Sequence, residues 1–214
     1  MNGRSVRGIR NAVRAYYSAA IEQHGPVPLG VDWSSAASQY LRFLQLLKIC
    51  DFGQAFSLND FGCGYGAVLQ YLRLYHRGTR VAYRGIDLSP AMVAAASRRW
   101  GRRPQTTFAV GSRCIKSADY SIASGVFNVR LGQPVAEWEA YVEDVLHDLS
   151  AHSRTGFAVN FMLPRPGAPV EPQLYRSPMR RWVTFCREEL GGSVTPVTRY
   201  GLREFTLLVR TRSG

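Results

Sequence analysis

The chain has 214 residues, 46% of them hydrophobic, and a formal net charge of +12. That length suits one α/β domain with a full core, so a single domain over residues 1–214 is expected, and no apolar run approaches the roughly 18 residues of a membrane span. Four cysteines, Cys50, Cys63, Cys114 and Cys186, show neither a CxxC pair nor a metal-ligand spacing, which disfavours a disulfide framework or a structural zinc and predicts a soluble, cytoplasmic protein with reduced thiols.

The positive charge is nearly all arginine, with Lys48 and Lys116 the only lysines. Two clusters stand out: Arg4, Arg7, Arg10 and Arg14 along one helix face, and Arg98, Arg99, Arg102 and Arg103. Each reads either as a solvated helix face or as a docking surface for phosphate.

Along the chain, residues 8–23 and 34–50 are predicted helices separated by a Gly/Pro-rich turn, together forming an N-terminal helical cap over residues 1–50. Residues 55–61 read as the first strand. At its end Asp60 precedes Gly62, Gly64 and Gly66, a spacing that lets the backbone turn with positive φ and clears Cβ atoms from a surface that a ligand approaches. The next helix places Val68, Leu69, Leu72 and Tyr75 on its core side. A second strand over 81–87 ends on Asp87, about twenty residues beyond the last glycine, where a carboxylate meets ribose hydroxyls. Ser89 caps the following helix, Pro90 fits its first turn and Gly101 ends it.

Strands at 105–110 and 119–124 follow, then a helix over 134–151 with Val135, Trp138, Tyr141, Val142, Val145, Leu146 and Leu149 toward the core and its acids facing out. Residues 156–162 read as a central strand. Residues 164–177 are too rich in proline for regular structure and form a loop long enough to act as a lid. A helix at 178–190 and strands at 193–199 and 203–211, joined by a hairpin turn at Tyr200-Gly201, complete the order.

The run Asp60-x-Gly62-x-Gly64-x-Gly66 followed by Gly85-Ile86-Asp87 resembles motifs I and II of the class I S-adenosylmethionine-dependent methyltransferases. A nicotinamide or flavin domain is the competing reading, since Gly62-x-Gly64-x-x-Ala67 also satisfies the looser dinucleotide pattern. Asp60 argues against it, because a carboxylate beneath the turn repels a pyrophosphate and attracts a sulfonium or ammonium. The resemblance extends from about residue 16 to 211 and points to small bacterial methyltransferases of polysaccharide or secondary-metabolite pathways. It implies a Rossmann-like α/β fold with a seven-stranded, mostly parallel sheet, an antiparallel C-terminal hairpin strand, and helices on both faces.

The resemblance also implies roles for single residues. Gly62 and Gly64 approach the methionine moiety of S-adenosylmethionine, Asp60 accepts from its ammonium and Asp87 binds the ribose. Leu88 and Met92 flank the adenine, with core packing the alternative for both. Many relatives carry an acid after the third strand to accept from the adenine amino group; here Ser112 and Arg113 stand there. Gln39 and Arg42 share a helix face that closes over the cofactor, Arg42 pairing its carboxylate or else forming a surface salt bridge. Ser124-Gly125 lies beside the methyl group. Tyr16, Tyr17, Trp33, Phe127, Asn128 and Asn160 are candidates for the acceptor pocket, and His24 and Asn128 for catalysis; core packing is the alternative for Tyr16, Tyr17 and Trp33. His24 is the one histidine expected near the acceptor, so it is the candidate base for a hydroxyl acceptor.

These features imply an enzyme that methylates oxygen, nitrogen or sulfur on a small metabolite or sugar, releasing S-adenosylhomocysteine. A methyltransferase acting on RNA or a carrier-bound substrate, and a non-catalytic binding module of the same fold, are the alternatives. The scattered charge disfavours nucleic acid, and no membrane partner is expected.

Overall fold

The computed structural model describes residues 3–211, with side chains from residue 6 onward; the side chain of Arg4 in the N-terminal cluster lies outside the described residues. Helix α1 (Gly3–His24) leads through a 3-10 turn (Pro28–Val31) into α2 (Ala36–Leu46), and then come β1 (Phe56–Phe61), α3 (Ala67–Tyr75), β2 (Val81–Asp87), α4 (Pro90–Trp100), β3 (Thr106–Val110) and β4 (Ala118–Ala123). Helix α5 (Val135–Ala151), β5 (Ser153–Met162), α6 (Met179–Glu188), β6 (Ser193–Val197) and β7 (Glu204–Arg210) complete the chain.

The strands form one sheet in the order β3-β2-β1-β4-β5-β7-β6. The first five run parallel, and β7 inserts antiparallel between β5 and β6. β1 pairs with β2 on one side and β4 on the other, so the order reverses beside it and a crevice opens at the carboxyl ends of these strands.

Period-two alternation sorts the central strands onto two cores. Phe157, Val159 and Phe161 of β5, with Phe205, Leu207 and Val209 of β7, pack with α1, α5 and α6. Ala158 of β5 faces the opposite core, with α2, α3 and α4. Asn160 and Glu204 follow the same alternation and turn toward α2. Both are buried, and Asn160 Nδ2 donates to Glu204 Oε2 at 2.9 Å.

Several expectations shift. β5 begins at Ser153 rather than 156, because Ser153 pairs with Ala118 before the β4–β5 register slips between Ala118 and Tyr120; its Oγ also hydrogen-bonds with Leu149 O and Ser121 Oγ. Gly101 closes α4 at a φ of −62, without a left-handed turn. Tyr75 is 61% exposed. The acids of α5 do not simply face out: Asp148 is buried and accepts the Cys114 N–H at 2.7 Å, Asp144 pairs with Arg10 and Arg113, and Glu139 and Glu143 pair with Arg181. These contacts tie α1, α6 and the segment after β3 to one helix.

Arg42 of α2 reaches across to Glu204 of β7. Its Nε donates to both carboxylate oxygens at 3.1 and 2.9 Å, Nη2 donates to Oε1, and Nη1 donates to Ser38 O at 2.9 Å. Removing one partner of a buried pair strands the other charge, whereas replacing both with apolar groups does not. Arg42→Met is therefore expected to destabilise the protein by about 3–5 kcal/mol in urea denaturation. Adding Glu204→Leu should recover part of the loss, the remainder reflecting Asn160 Nδ2 left without its acceptor.

Candidate active site

The turn after β1 is held by the end of β2. The N–H groups of Gly62 and Cys63 donate to Ile86 O at 2.7 and 3.0 Å, and the Gly64 N–H donates to Asp87 Oδ2 at 2.9 Å. Gly62, Gly64 and Gly66 have φ of 72, 54 and 79, the left-handed region that a side chain strains. Asp87 Oδ1 accepts the Ser89 N–H at 2.8 Å. Ser89 in turn caps α4 by accepting the Met92 N–H, and its hydroxyl lies 2.8 Å from that of Ser18 on α1. One carboxylate thus joins the glycine turn, the start of α4 and, through Ser89, the N-terminal helix.

Asp60 is 1% exposed at the base of this turn. The Tyr83 hydroxyl, one strand away, donates to its Oδ2. Burial raises its carboxyl to about 7, the Tyr83 bond opposes the rise and the charge of Asp87 adds to it. Burial likewise raises Asp87, opposed by the backbone donors of Ser89, Gly64 and Leu88.

The end of β4 is built by residues distant in the chain. The Gly125 N–H donates to Asn160 Oδ1 at 2.7 Å, and Asn160 leads through Glu204 to Arg42. The Arg42 guanidinium stacks 3.7 Å from the centroid of Trp33. A Cβ on Gly125, which has a φ of 72, would lie 2.2 Å from the Trp33 ring, so only glycine admits the indole there.

Between these ends lies a cleft with about 820 Å³ of atom-free space, counting its open mouth. Of the residues singled out from sequence, Gln39, Asp60, Gly62, Gly64, Asp87, Leu88, Met92, Ser124, Gly125, Tyr17 and Trp33 line it. Gln39 Oε1 accepts from the Tyr65 hydroxyl at 3.1 Å. Ser124 Oγ is buried without a partner among the described residues, an orphan that a ligand in the cleft would satisfy.

The other assigned residues fall elsewhere. Arg42 is committed to Glu204 and Trp33, neither in a surface salt bridge nor in the cleft lining. Asn160 spends both amide groups on Gly125 and Glu204, acting behind the wall. Phe127 points into the core, stacking on Phe161 with centroids 5.0 Å apart. Asn128 is buried outside the lining, its amide atoms unpartnered among the described residues. Ser112 is not in the lining, where Gly111 is, and Arg113 turns away to Asp144 and Asp148. Tyr16 lies outside it, edge-on to Tyr17, with burial and the Asp32 carboxylate raising its phenol to about 12. His24 is an exposed residue at the end of α1, also outside the lining.

Residues 164–177 supply no lining residue; Gln173 O accepts from the N–H groups of Arg130 and Leu131, and the Tyr175 N–H donates to Asn128 O. The N-terminal segment does line the cleft, with Val13, Tyr17, Val31, Trp33, Gln39 and Phe43. Sequence reasoning missed Val13, Val31, Phe43, Tyr65, Val126 and the cleft-facing side of Tyr141. Tyr65, inside the glycine run, and Val126, next to Gly125, carried a positional signal.

Comparison with known proteins adds three kinds of similarity. A family model described as a methyltransferase domain matches residues 59–154. A Mycobacterium tuberculosis (strain ATCC 25618 / H37Rv) protein named "Putative methyltransferase Rv1506c" is 42% identical over 168 residues, 78% of this chain and 100% of that protein. Among solved structures, magnesium protoporphyrin IX methyltransferase from Synechocystis PCC 6803 with bound S-adenosylhomocysteine superimposes with a TM-score of 0.68, 15% identity, and coverage of 94% of this chain and 99% of that one. The same enzyme with bound S-adenosylmethionine gives a TM-score of 0.64 at 17% identity, covering 94% and 96%.

The raised carboxyl of Asp60 has a definite consequence for stability. Because its folded-state value lies near 7 and its ordinary value is 3.8, the folded protein holds this proton more tightly than the unfolded chain, and stability contributed by the protonated form is lost as pH rises from about 4 through 7. In the ligand-free protein, Asp60→Asn should flatten this part of the stability profile and raise Tm at pH 8 relative to the parent. A parent and variant with parallel Tm profiles from pH 4 to 8 would contradict it.

Proposed function

This chain belongs to the class I S-adenosylmethionine-dependent methyltransferases, and we propose that it methylates an oxygen, nitrogen or sulfur atom of a small, largely apolar acceptor that brings its own nucleophile. The observation that carries this reading is the composition of the cleft wall. Val13, Tyr17, Val31, Trp33 and Phe43 roof it, and among the described lining residues there is no lysine, arginine or histidine. An anionic acceptor buried there would lack a counter-charge, at a cost of several kcal/mol. A phosphorylated substrate or a nucleic-acid backbone is disfavoured on that ground.

The residues at the turn fit the cofactor. Asp60 and Asp87 would face its ammonium and its ribose hydroxyls, Gly62 and Gly64 would pass their backbone close to its methionine part, and Gln39, Ser124 and Gly125 would border the reacting end. Leu88 and Met92 supply apolar surface for the base. Bound there, S-adenosylmethionine supplies an electrophilic methyl carbon on a good leaving group. The protein's work is then alignment, because in-line displacement gains most from holding the reacting atoms about 3–3.5 Å apart. Trp33 and Gly125, fixed through Arg42, Glu204 and Asn160, form the rigid wall at that end.

No base is needed for an acidic phenol, a thiol or a ring nitrogen near neutral pH. With His24 outside the cleft, such acceptors are favoured over a plain alcohol. The apolar wall favours a metabolite with aromatic or aliphatic surface over an unsubstituted sugar. The similar magnesium protoporphyrin IX methyltransferase acts, by its name, on a small molecule. Four free, buried cysteines favour a reducing, cytoplasmic setting.

The test combines binding and turnover. By calorimetry, S-adenosylhomocysteine should bind several-fold more tightly at pH 7.5 than at pH 5.5, since its ammonium favours ionised Asp60, and Asp60→Asn should lose that pH dependence. With labelled S-adenosylmethionine, methyl transfer is expected to small apolar phenols, thiols or ring nitrogens. Methylation of RNA, with RNA affinity falling steeply with salt, would overturn the reading.

A further inference from the structure

The segment after β3, where adenine recognition was expected, is drawn to α5. The Cys114 N–H donates to Asp148 Oδ2 at 2.7 Å, and Arg113 Nη2 donates to Asp144 Oδ1 at 2.6 Å. Ser112 and Arg113 are absent from the cleft lining. The same face of α5 that receives this segment carries Tyr141, three residues before Asp144 and seven before Asp148, a spacing that stacks side chains along one side of a helix.

Tyr141 is 1% exposed and lines the cleft, as does Tyr17 of α1. No hydrogen bond is formed by either phenol hydroxyl among the described residues, although buried tyrosine hydroxyls ordinarily find a partner. Burial holds both phenols well above the usual tyrosine range; Asp32, then Tyr16 and Asp87, add to it at Tyr17, while at Tyr141 Arg10 opposes the rise and Asp87 and Asp144 add to it. They are neutral at working pH and able to donate or accept. Two tyrosines whose hydroxyls have no hydrogen-bond partner among the described residues thus line the same cleft as Asp87, which would hold the ribose.

We infer that Tyr141, with Tyr17 beside it, binds the adenosine half of the cofactor and supplies hydrogen bonding there that Ser112 and Arg113 do not. The inference rests on the cofactor site described above. α5 would then serve both as a brace, through Asp144 and Asp148, and as a wall of the binding site.

Calorimetry at pH 7.5 with S-adenosylhomocysteine, and displacement of it by adenosine, tests this. Loss of one hydrogen bond predicts that Tyr141→Phe weakens S-adenosylhomocysteine about 5–10-fold. Adenosine should weaken by a similar factor, Tm should not fall, and Ser112→Ala should bind within about twofold of the parent, as no lost contact is expected there. A Tyr141→Phe protein that binds S-adenosylhomocysteine as well as the parent overturns the inference alone. So does a loss for S-adenosylhomocysteine that adenosine does not share, or a tenfold loss in Ser112→Ala. A parent that binds no S-adenosylhomocysteine overturns the cofactor site as well.

Discussion

The Asp87 carboxylate is the contact on which the rest of the site depends. Its two oxygens accept the N–H groups of Gly64 and Ser89, so one side chain at the end of β2 sets the path of the turn after β1 and the entry into α4. A carboxylate has about four lone-pair sites, so its backbone donors leave capacity for a ligand. Those same bonds offset part of the cost of burying the charge. Through the Ser89 and Ser18 hydroxyls the constraint passes to α1, which roofs the cleft. The glycine turn and the N-terminal packing therefore share a single anchor.

A second constraint acts at the other end. Arg42, Glu204, Asn160 and Gly125 form a buried chain of hydrogen bonds from α2 across β7 and β5 to the end of β4. A buried ion pair is weak as a source of stability but strict about geometry, because each partner is costly without the other. Here the strictness falls on Trp33, which stacks on the guanidinium and occupies the place of a Gly125 side chain. The wall formed by Trp33 and Gly125 is thereby held by Arg42, Glu204 and Asn160, none of which lines the cleft.

Much of the fold was legible because its signals are local. The three alternating glycines, the Ser89-Pro90 start of α4 and the apolar run of β5 each express a backbone preference or a burial pattern within a few residues. The lining roles of Asp60, Asp87, Gln39 and Trp33 were anticipated because motif and spacing place them near the crevice. Phe127, Arg113 and Arg42 were not placed well. Phe127 follows the turn into the core, while the two arginines are captured by acids 31 and 162 residues away in the chain. No local pattern announces such partners.

The sequence by itself determined that a glycine turn with a carboxylate on either side follows the first strand, and that strands and helices alternate around it, since positive φ and period-two burial are properties of neighbouring residues. Only the tertiary structure decided which side chains face the cleft. The strand order sets β7 beside β5 and so brings Glu204 to Asn160, and the acids of α5 draw the segment after β3 toward that helix while Tyr141 turns to the cleft. Pairing across a sheet and between helices is set by how the layers pack, and residues far apart in the chain carry no record of that distance in their own spacing.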